Sequence, residues 1–204
     1  MRPVLIIVFA ALSIVSCKNS EDKKPLDNSN KNEIPIQVSG DNQNDAISDA
    51  HLIIPGIQLG NIKLNTLATA VYDSLGRPTS GDAAMQKSLS TWDSGTNILT
   101  IFAANDPNTS EGHLIKLIRS TASDFKTKNG LGKGSSMTAI EKEFQLKKEG
   151  TFKEKDSEYA LYSTQQGISF EFNSENICTG VVVHNPEIQA GITYLPIYQD
   201  YKSL

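Results

Sequence analysis

Asn65-Thr66-Leu67-Ala68-Thr69-Ala70-Val71-Tyr72-Asp73-Ser74-Leu75-Gly76-Arg77-Pro78 carries the first strong local signal of the chain. Asn65 or Thr66 caps a helix there, Leu67, Ala70, Val71, Ser74 and Leu75 share one face, Gly76 supplies the left-handed stop and Pro78 forbids continuation. The helix is short and apolar on one side, so it needs a sheet to lie on. Three alternating segments follow, Ser88 to Trp92, Ile98 to Ala103 and His113 to Arg119, separated by turn residues. They read as an antiparallel sheet with one buried face.

The pattern then repeats. A constant offset carries Ile62 to Leu131, Val71 to Ile140, Leu75 to Phe144, Trp92 to Leu161, Leu99 to Ile168 and Ile101 to Phe170. In the second copy Ser135 or Ser136 caps a helix with Met137, Ile140 and Phe144 on one face. Strands follow near Tyr159 to Tyr162, Ile168 to Phe172 and Ile177 to Val183, and Tyr194 to Tyr198 adds a last edge strand. Two copies are too few for a solenoid. The expectation is an α+β protein of two similar units, 51–121 and 122–204, each a short helix packed on a three-stranded antiparallel sheet.

The N-terminal part reads differently. Arg2 precedes an apolar run from Val4 to Val15 that is too short for a permanent membrane span, which needs about 20 residues, and suits an export signal covering residues 1–16. Ile14-Val15-Ser16-Cys17 closes the run and resembles the lipobox of bacterial lipoproteins. That resemblance implies cleavage before Cys17 and a diacylglyceryl group on its sulfur, so the membrane becomes the first partner; two or three chains hold firmly where one does not. Lys18 after the cysteine points to outer-membrane delivery. Cys17-Lys18-Asn19-Ser20-Glu21-Asp22 resembles the surface-export signals of Bacteroidota lipoproteins, so the protein faces the periplasm or the cell surface. Residues 17–50 are the lipidated cysteine and a disordered tether rich in Asn, Asp, Ser, Lys and Glu, with a reach of roughly 30 Å.

A Gly/Asn-rich entry, a capped helix ending in Leu75-Gly76-Arg77-Pro78, a strand carrying Thr91-Trp92 and an alternating hairpin resemble the SmpA/OmlA-type outer-membrane lipoproteins. The tandem arrangement is similar to the β-lactamase-inhibitor-protein fold, which duplicates such a unit. The second half departs from the pattern, with Phe144-Gln145-Leu146-Lys147 in place of the Leu-Gly-x-Pro stop. Both relatives act by binding proteins, so the resemblance implies a binding module of assembly or inhibitor type.

Composition narrows the partners. The formal net charge is −4, with no Lys/Arg cluster, which leaves no grip on phosphates and excludes nucleic acid as the expected partner. Once Cys17 is acylated, Cys178 is the remaining thiol and no intramolecular disulfide forms; a small apolar role is expected for it.

The candidate chemistry is sparse. Gly130-Leu131-Gly132-Lys133-Gly134-Ser135 stands before a helix as an anion cradle would, yet lacks both P-loop and dinucleotide spacing; Gly60-Asn61-Ile62-Lys63-Leu64-Asn65 occupies the matching place, so a shared structural turn is the plainer reading. Asp106, Asn108 and Ser110 imitate a calcium ladder, but Glu111 stands where an EF-hand needs glycine and Leu117 where it needs the bidentate Glu. His51, His113 and His184 form no close metal pair, and no G-x-S-x-G elbow exists. No catalytic residue, cofactor or metal is expected. Trp92, Tyr194 and Tyr198 are the candidate partner-contact residues, because such aromatics supply large contact area with few rotors; core packing is the alternative for each. Two rival readings stand: an envelope hydrolase with a dispersed site, and a small-ligand or anion sensor using Gly130, Gly132, Lys133, Gly134 and Ser135.

Overall fold

The computed structural model describes residues 47–106, 112–193 and 195–204, within a unit spanning Asn44–Leu204. The lipobox with Cys17, the tether up to residue 46, most of the 106–112 loop and Tyr194 lie outside the described residues. After a 3-10 turn at Asp49–His51 come β1 (Leu52–Ile54), β2 (Gln58–Leu59), β3 (Ile62–Lys63), α1 (Thr69–Leu75), β4 (Ser80–Ala84), β5 (Lys87–Asp93), β6 (Ile98–Asn105) and β7 (His113–Ser120). Then follow β8 (Lys126–Thr127), α2 (Met137–Glu141), β9 (Lys147–Glu154), β10 (Ser157–Ser163), β11 (Ile168–Phe172), β12 (Cys178–His184) and β13 (Lys202–Ser203).

These strands overturn the expected α+β architecture of two helix-on-three-strand units. The protein is mostly β: nine strands form one antiparallel sheet in the order β13-β9-β10-β11-β12-β7-β6-β5-β4, and β3-β2-β1-β8 form a small second sheet. The physical reason is edge protection. A three-stranded sheet under one short helix exposes two edges and a whole face, whereas pairing β7 with β12, with Arg119 opposite Val182 and Ile118 opposite Val183, removes one edge from each half. Each half also gains a fourth strand, β4 or β9, through an outer hairpin.

Apart from the extra edge strand β13, the order is palindromic about the β7–β12 seam. Register shifts mark equivalent places in the two halves, between Phe102 and Ala103 where β6 meets β7 and between Glu171 and Phe172 where β11 meets β12. Leu99 and Ile168, Ile101 and Phe170, and Val71 and Ile140 all contribute to one core. Trp92 and Leu161 do not share a place: Trp92 packs on that first core and Leu161 lies in the core of the opposite face.

The first face of the large sheet presents Ile101, Ile115, Ile118, Ile168, Phe170, Val181 and Val183. It is covered by Val71 of α1, Ile140 of α2 and Ile53 and Leu59 of the small sheet. Full burial of such side chains contributes about 1.5–3 kcal/mol each. The second face presents Phe102, Leu117, Phe152, Leu161 and Val182, and is covered by Ala190, Leu195 and Tyr198 of the C-terminal segment.

The local details also differ from expectation. Helix α1 begins at Thr69 with Ala68 at the cap and no side-chain cap bond; Ala68 and Val71 are buried, while Leu67 and Leu75, expected on the packed face, are 39% and 48% exposed. Gly76 does terminate it, with φ 76°. Helix α2 keeps its Ser136 cap, the Oγ accepting from the Ala139 N–H, but ends at Glu141. Phe144 reaches the core from the following turn. Leu195–Tyr198 carry no strand; the edge beside β9 is taken instead by β13, with Lys202 opposite Thr151.

Candidate functional site

The second face of the large sheet carries a buried charged pair where β7 and β11 approach each other across β12. Glu171 on β11 stands opposite Gly180 on β12, and the lack of a side chain at Gly180 lets the Glu171 carboxylate lie over that strand; a Cβ there would collide with Glu171 Oε2. The carboxylate thereby reaches Arg119 on β7 in a two-pronged pair, Nε donating to Oε1 at 2.6 Å and Nη2 to Oε2 at 2.9 Å. Tyr198 of the C-terminal segment donates its hydroxyl to Oε1 at 2.7 Å, and its ring lies under the guanidinium, 5.3 Å from Cζ. Arg119, Glu171 and Tyr198 are 4%, 1% and 5% exposed.

Burial opposes the charge on Arg119, but the adjoining Glu171 carboxylate more than compensates, and its pKa is held above the ordinary arginine value. Burial, reinforced by Glu171, pushes the Tyr198 hydroxyl well above the ordinary tyrosine range. The phenol therefore stays protonated and remains a donor.

The cluster is sealed below and open above. A cleft of about 300 Å³ lies over Arg119, lined by Thr91, Thr100, Phe152, Glu154, Ile197 and Tyr198, with Lys153, Lys155 and Gln199 also on its wall. Lys153, Lys155 and Gln199 are exposed. Glu154 lies 3.8 Å from Arg119 Nη2, beyond hydrogen-bond reach. Nη1 makes no hydrogen bond among the described residues, yet is not sealed from solvent, and Arg119 lines the cleft.

A second polar chain crosses the same face. Ser163 Oγ lies 2.5 Å from Ser169 Oγ, which is 2.8 Å from His184 Nε2, and His184 Nδ1 is 2.8 Å from the Asn185 carbonyl. A carbonyl only accepts, so Nδ1 carries the proton and Nε2 accepts from Ser169. That is the arrangement of a nucleophile and its base, but Ser169 is 0% and His184 1% exposed, so no substrate carbonyl reaches the hydroxyl. Burial lowers the His184 pKa, partly offset by the Asn185 carbonyl and Glu149.

The residues singled out by sequence are dispersed. Trp92 is half-buried, donates from its indole to the Gly76 carbonyl at 3.1 Å, and lines an apolar groove of about 470 Å³ with Leu75, Leu99 and Phe125. Tyr198 is beneath the Arg119 cleft rather than on an open surface. In the Gly130–Ser135 loop five of the six amides are already used: Gly130 N–H goes to Thr127 O, Leu131 N–H to Thr127 Oγ1, Gly132 N–H to Ser135 Oγ, Gly134 N–H to Cys178 O and Ser135 N–H to Gly132 O. Lys133 Nζ donates to Thr121 O. The loop braces β12 against α2, and α2 has only five residues. Among the described residues no group of His, Cys, Asp or Glu is placed to hold a metal, and no helix is long and apolar enough to cross a membrane.

Arg119, Glu171 and Gly180 went unnoticed because Ile168-Ser169-Phe170-Glu171-Phe172 reads as a strand with one wet face, where a glutamate is ordinary. The usable signal was Gly180, a glycine inside the Thr179–Val183 run, which marks a close approach by another group.

No protein-family model matches this chain, and no curated protein matches it. Among solved structures it is similar to the crystal structure of a cysteine-rich secretory protein from Staphylococcus aureus subsp. aureus Mu50, at 12% identity and a TM-score of 0.45. The match covers 78% of this chain and 57% of that one, so the chain spans little more than half the length of that protein.

Proposed function

We propose that this chain is a lipoprotein held in the outer membrane through diacylglyceryl-Cys17, and that its folded body binds a protein partner in the cell envelope instead of catalysing a reaction. The lipobox and the polar stretch after it support the anchor. The observation that supports binding is the contrast on the second sheet face. The Ser169–His184 pair, which has the geometry of catalysis, is sealed, whereas Arg119, which has the geometry of recognition, opens on a cleft. The envelope hydrolase would need the reverse.

The experiment is metabolic labelling with palmitate, envelope fractionation, and pull-down of the detergent-solubilised protein from the same membranes. The wild type takes the label, sediments with the outer membrane and enriches a discrete protein over a Cys17→Ala control. Recovery of label-free protein from the culture fluid, or a pull-down no richer than the control, overturns the proposal.

A further inference from the structure

The palindromic sheet supplies an internal comparison for the buried ion pair. Phe102 on β6 stands opposite Leu117 on β7, as Glu171 on β11 stands opposite Gly180 on β12. Arg119 and Val182 face each other across the seam and exchange places in the two halves. The counterparts of Glu171 and Arg119 are therefore Phe102 and Val182, which pack in the apolar core of this face. The architecture closes that position with hydrocarbon in one half, so it does not need a charged pair in the other. A buried pair replaced by well-packed apolar residues is often as stable or more so; stability alone does not account for it.

The geometry of the guanidinium shows what the pair leaves available. Glu171 occupies the side edge, Nε and Nη2, leaving the end edge with Nη1 without a hydrogen bond among the described residues, on a residue that lines the cleft. An end edge offers two parallel N–H donors that match the two oxygens of a carboxylate. Glu171 fixes the fork in place, and the Tyr198 ring closes one face of it. The charges at the cleft are Arg119, Lys153 and Lys155 against Glu154 and the underlying Glu171. One positive charge is left over, which a single carboxylate balances. The apolar wall of Phe152 and Ile197 suits the methylenes of an acidic side chain.

We infer that the cleft over Arg119 is a recognition subsite for a carboxylate side chain of an acidic segment in the partner protein, received end-on by the Arg119 fork and flanked by Lys153 and Lys155. This rests on the protein-binding reading above.

The test follows the arginine Nε–H resonances of the lipidated full chain in detergent, with exposed Arg77 as internal control. The probes are N-acetyl-glutamate amide, N-acetyl-glutamine amide and inorganic phosphate. The glutamate probe shifts the Arg119 signal and spares Arg77, and the glutamine probe is weaker by about tenfold or more. Lys153→Glu/Lys155→Glu on the exposed rim weakens the glutamate probe by a similar factor. Arg119→Met/Glu171→Leu/Tyr198→Phe, checked for an unchanged melting profile and read by calorimetric titration of the glutamate probe beside the wild type, abolishes the binding. Equal response to glutamate and glutamine, an equal or stronger response to phosphate, an unmoved Arg119 signal, or full binding by the folded triple variant each overturns the inference. If any of these occurs while the pull-down still enriches its protein, the binding module stands and the carboxylate subsite falls; an empty pull-down removes the broader reading itself.

Discussion

Arg119 and Glu171 hold each other in a place where neither would survive alone. Arg119→Leu leaves the Glu171 carboxylate, 1% exposed, with only the Tyr198 hydroxyl as partner. Removing one member of a buried pair costs about 3–5 kcal/mol. Arg119→Met/Glu171→Leu/Tyr198→Phe removes both charges together with the buried hydroxyl that Glu171 accepts from, and is expected to match or exceed wild-type stability, because the counterpart position is already apolar. Urea unfolding of the two variants checks this, and equal losses in both would show that the charges themselves sustain the fold. His184 adds a pH dependence. Its folded pKa lies below the ordinary 6.5, because of burial, so below that pH the unfolded chain binds the extra proton and stability falls as the solution is acidified. His184→Gln removes this part of the slope, and melting temperatures at pH 7 and pH 5 for both proteins measure it. None of these roles was legible beforehand. Alternation places Ser169, Glu171, Val182 and His184 on one face, but only the C-terminal segment, whose path no local pattern reveals, turns that face into an interior.

Strands with strong apolar alternation were readable: β5, β6, β7, β10, β11 and β12 lie within two residues of expectation at each end. The small strands β1, β2, β3, β8 and β13, of two or three residues each, are too short to show a period, and the two longer ones that were missed, β4 and β9, have little to bury. In β4, Ser80-Gly81-Asp82-Ala83-Ala84, every residue but Ala84 is exposed, and β9 has Phe152 as its one large apolar side chain. The β4–β5 turn hides further, because Met85 and Gln86 take φ values of 52° and 60° without the Asn or Gly that usually marks such a hairpin. Helix α1 was found with its packed face rotated, since tertiary contact with the sheet chose Ala68 and Val71 over Leu67 and Leu75. The two helices also differ in how they start. Ser136→Ala deletes the one side-chain cap between them and is expected to cost about 1 kcal/mol, measured by urea midpoint; an unchanged midpoint would mean that packing of Ile140 alone holds α2.

The continuous sheet joins what the sequence divides at 121/122. With Val181, Val182, Val183 and His184 paired to Ser120, Arg119, Ile118 and Leu117, and β1 paired in parallel with β8, neither half has a closed core of its own. Calorimetry should give one unfolding transition with equal van't Hoff and calorimetric enthalpies, and Val183→Pro, which breaks the seam, should destabilise both halves together. Two resolved transitions would restore the picture of separate units. The repeat was visible in sequence as apolar spacing, but the joining of its copies was not, because a strand edge carries no mark of which strand will meet it. The fold carries its cleft on the face away from α1 and α2, ringed by Lys153, Lys155 and Gln199. In living cells, a photo-crosslinking amino acid at position 199 reports directly on what occupies that cleft. A single discrete protein adduct in the outer-membrane fraction, absent when the crosslinker is moved to exposed Asp82 on β4 and lost in Lys153→Glu/Lys155→Glu, is the expected result. No adduct at position 199, or the same adduct from position 82, would contradict it.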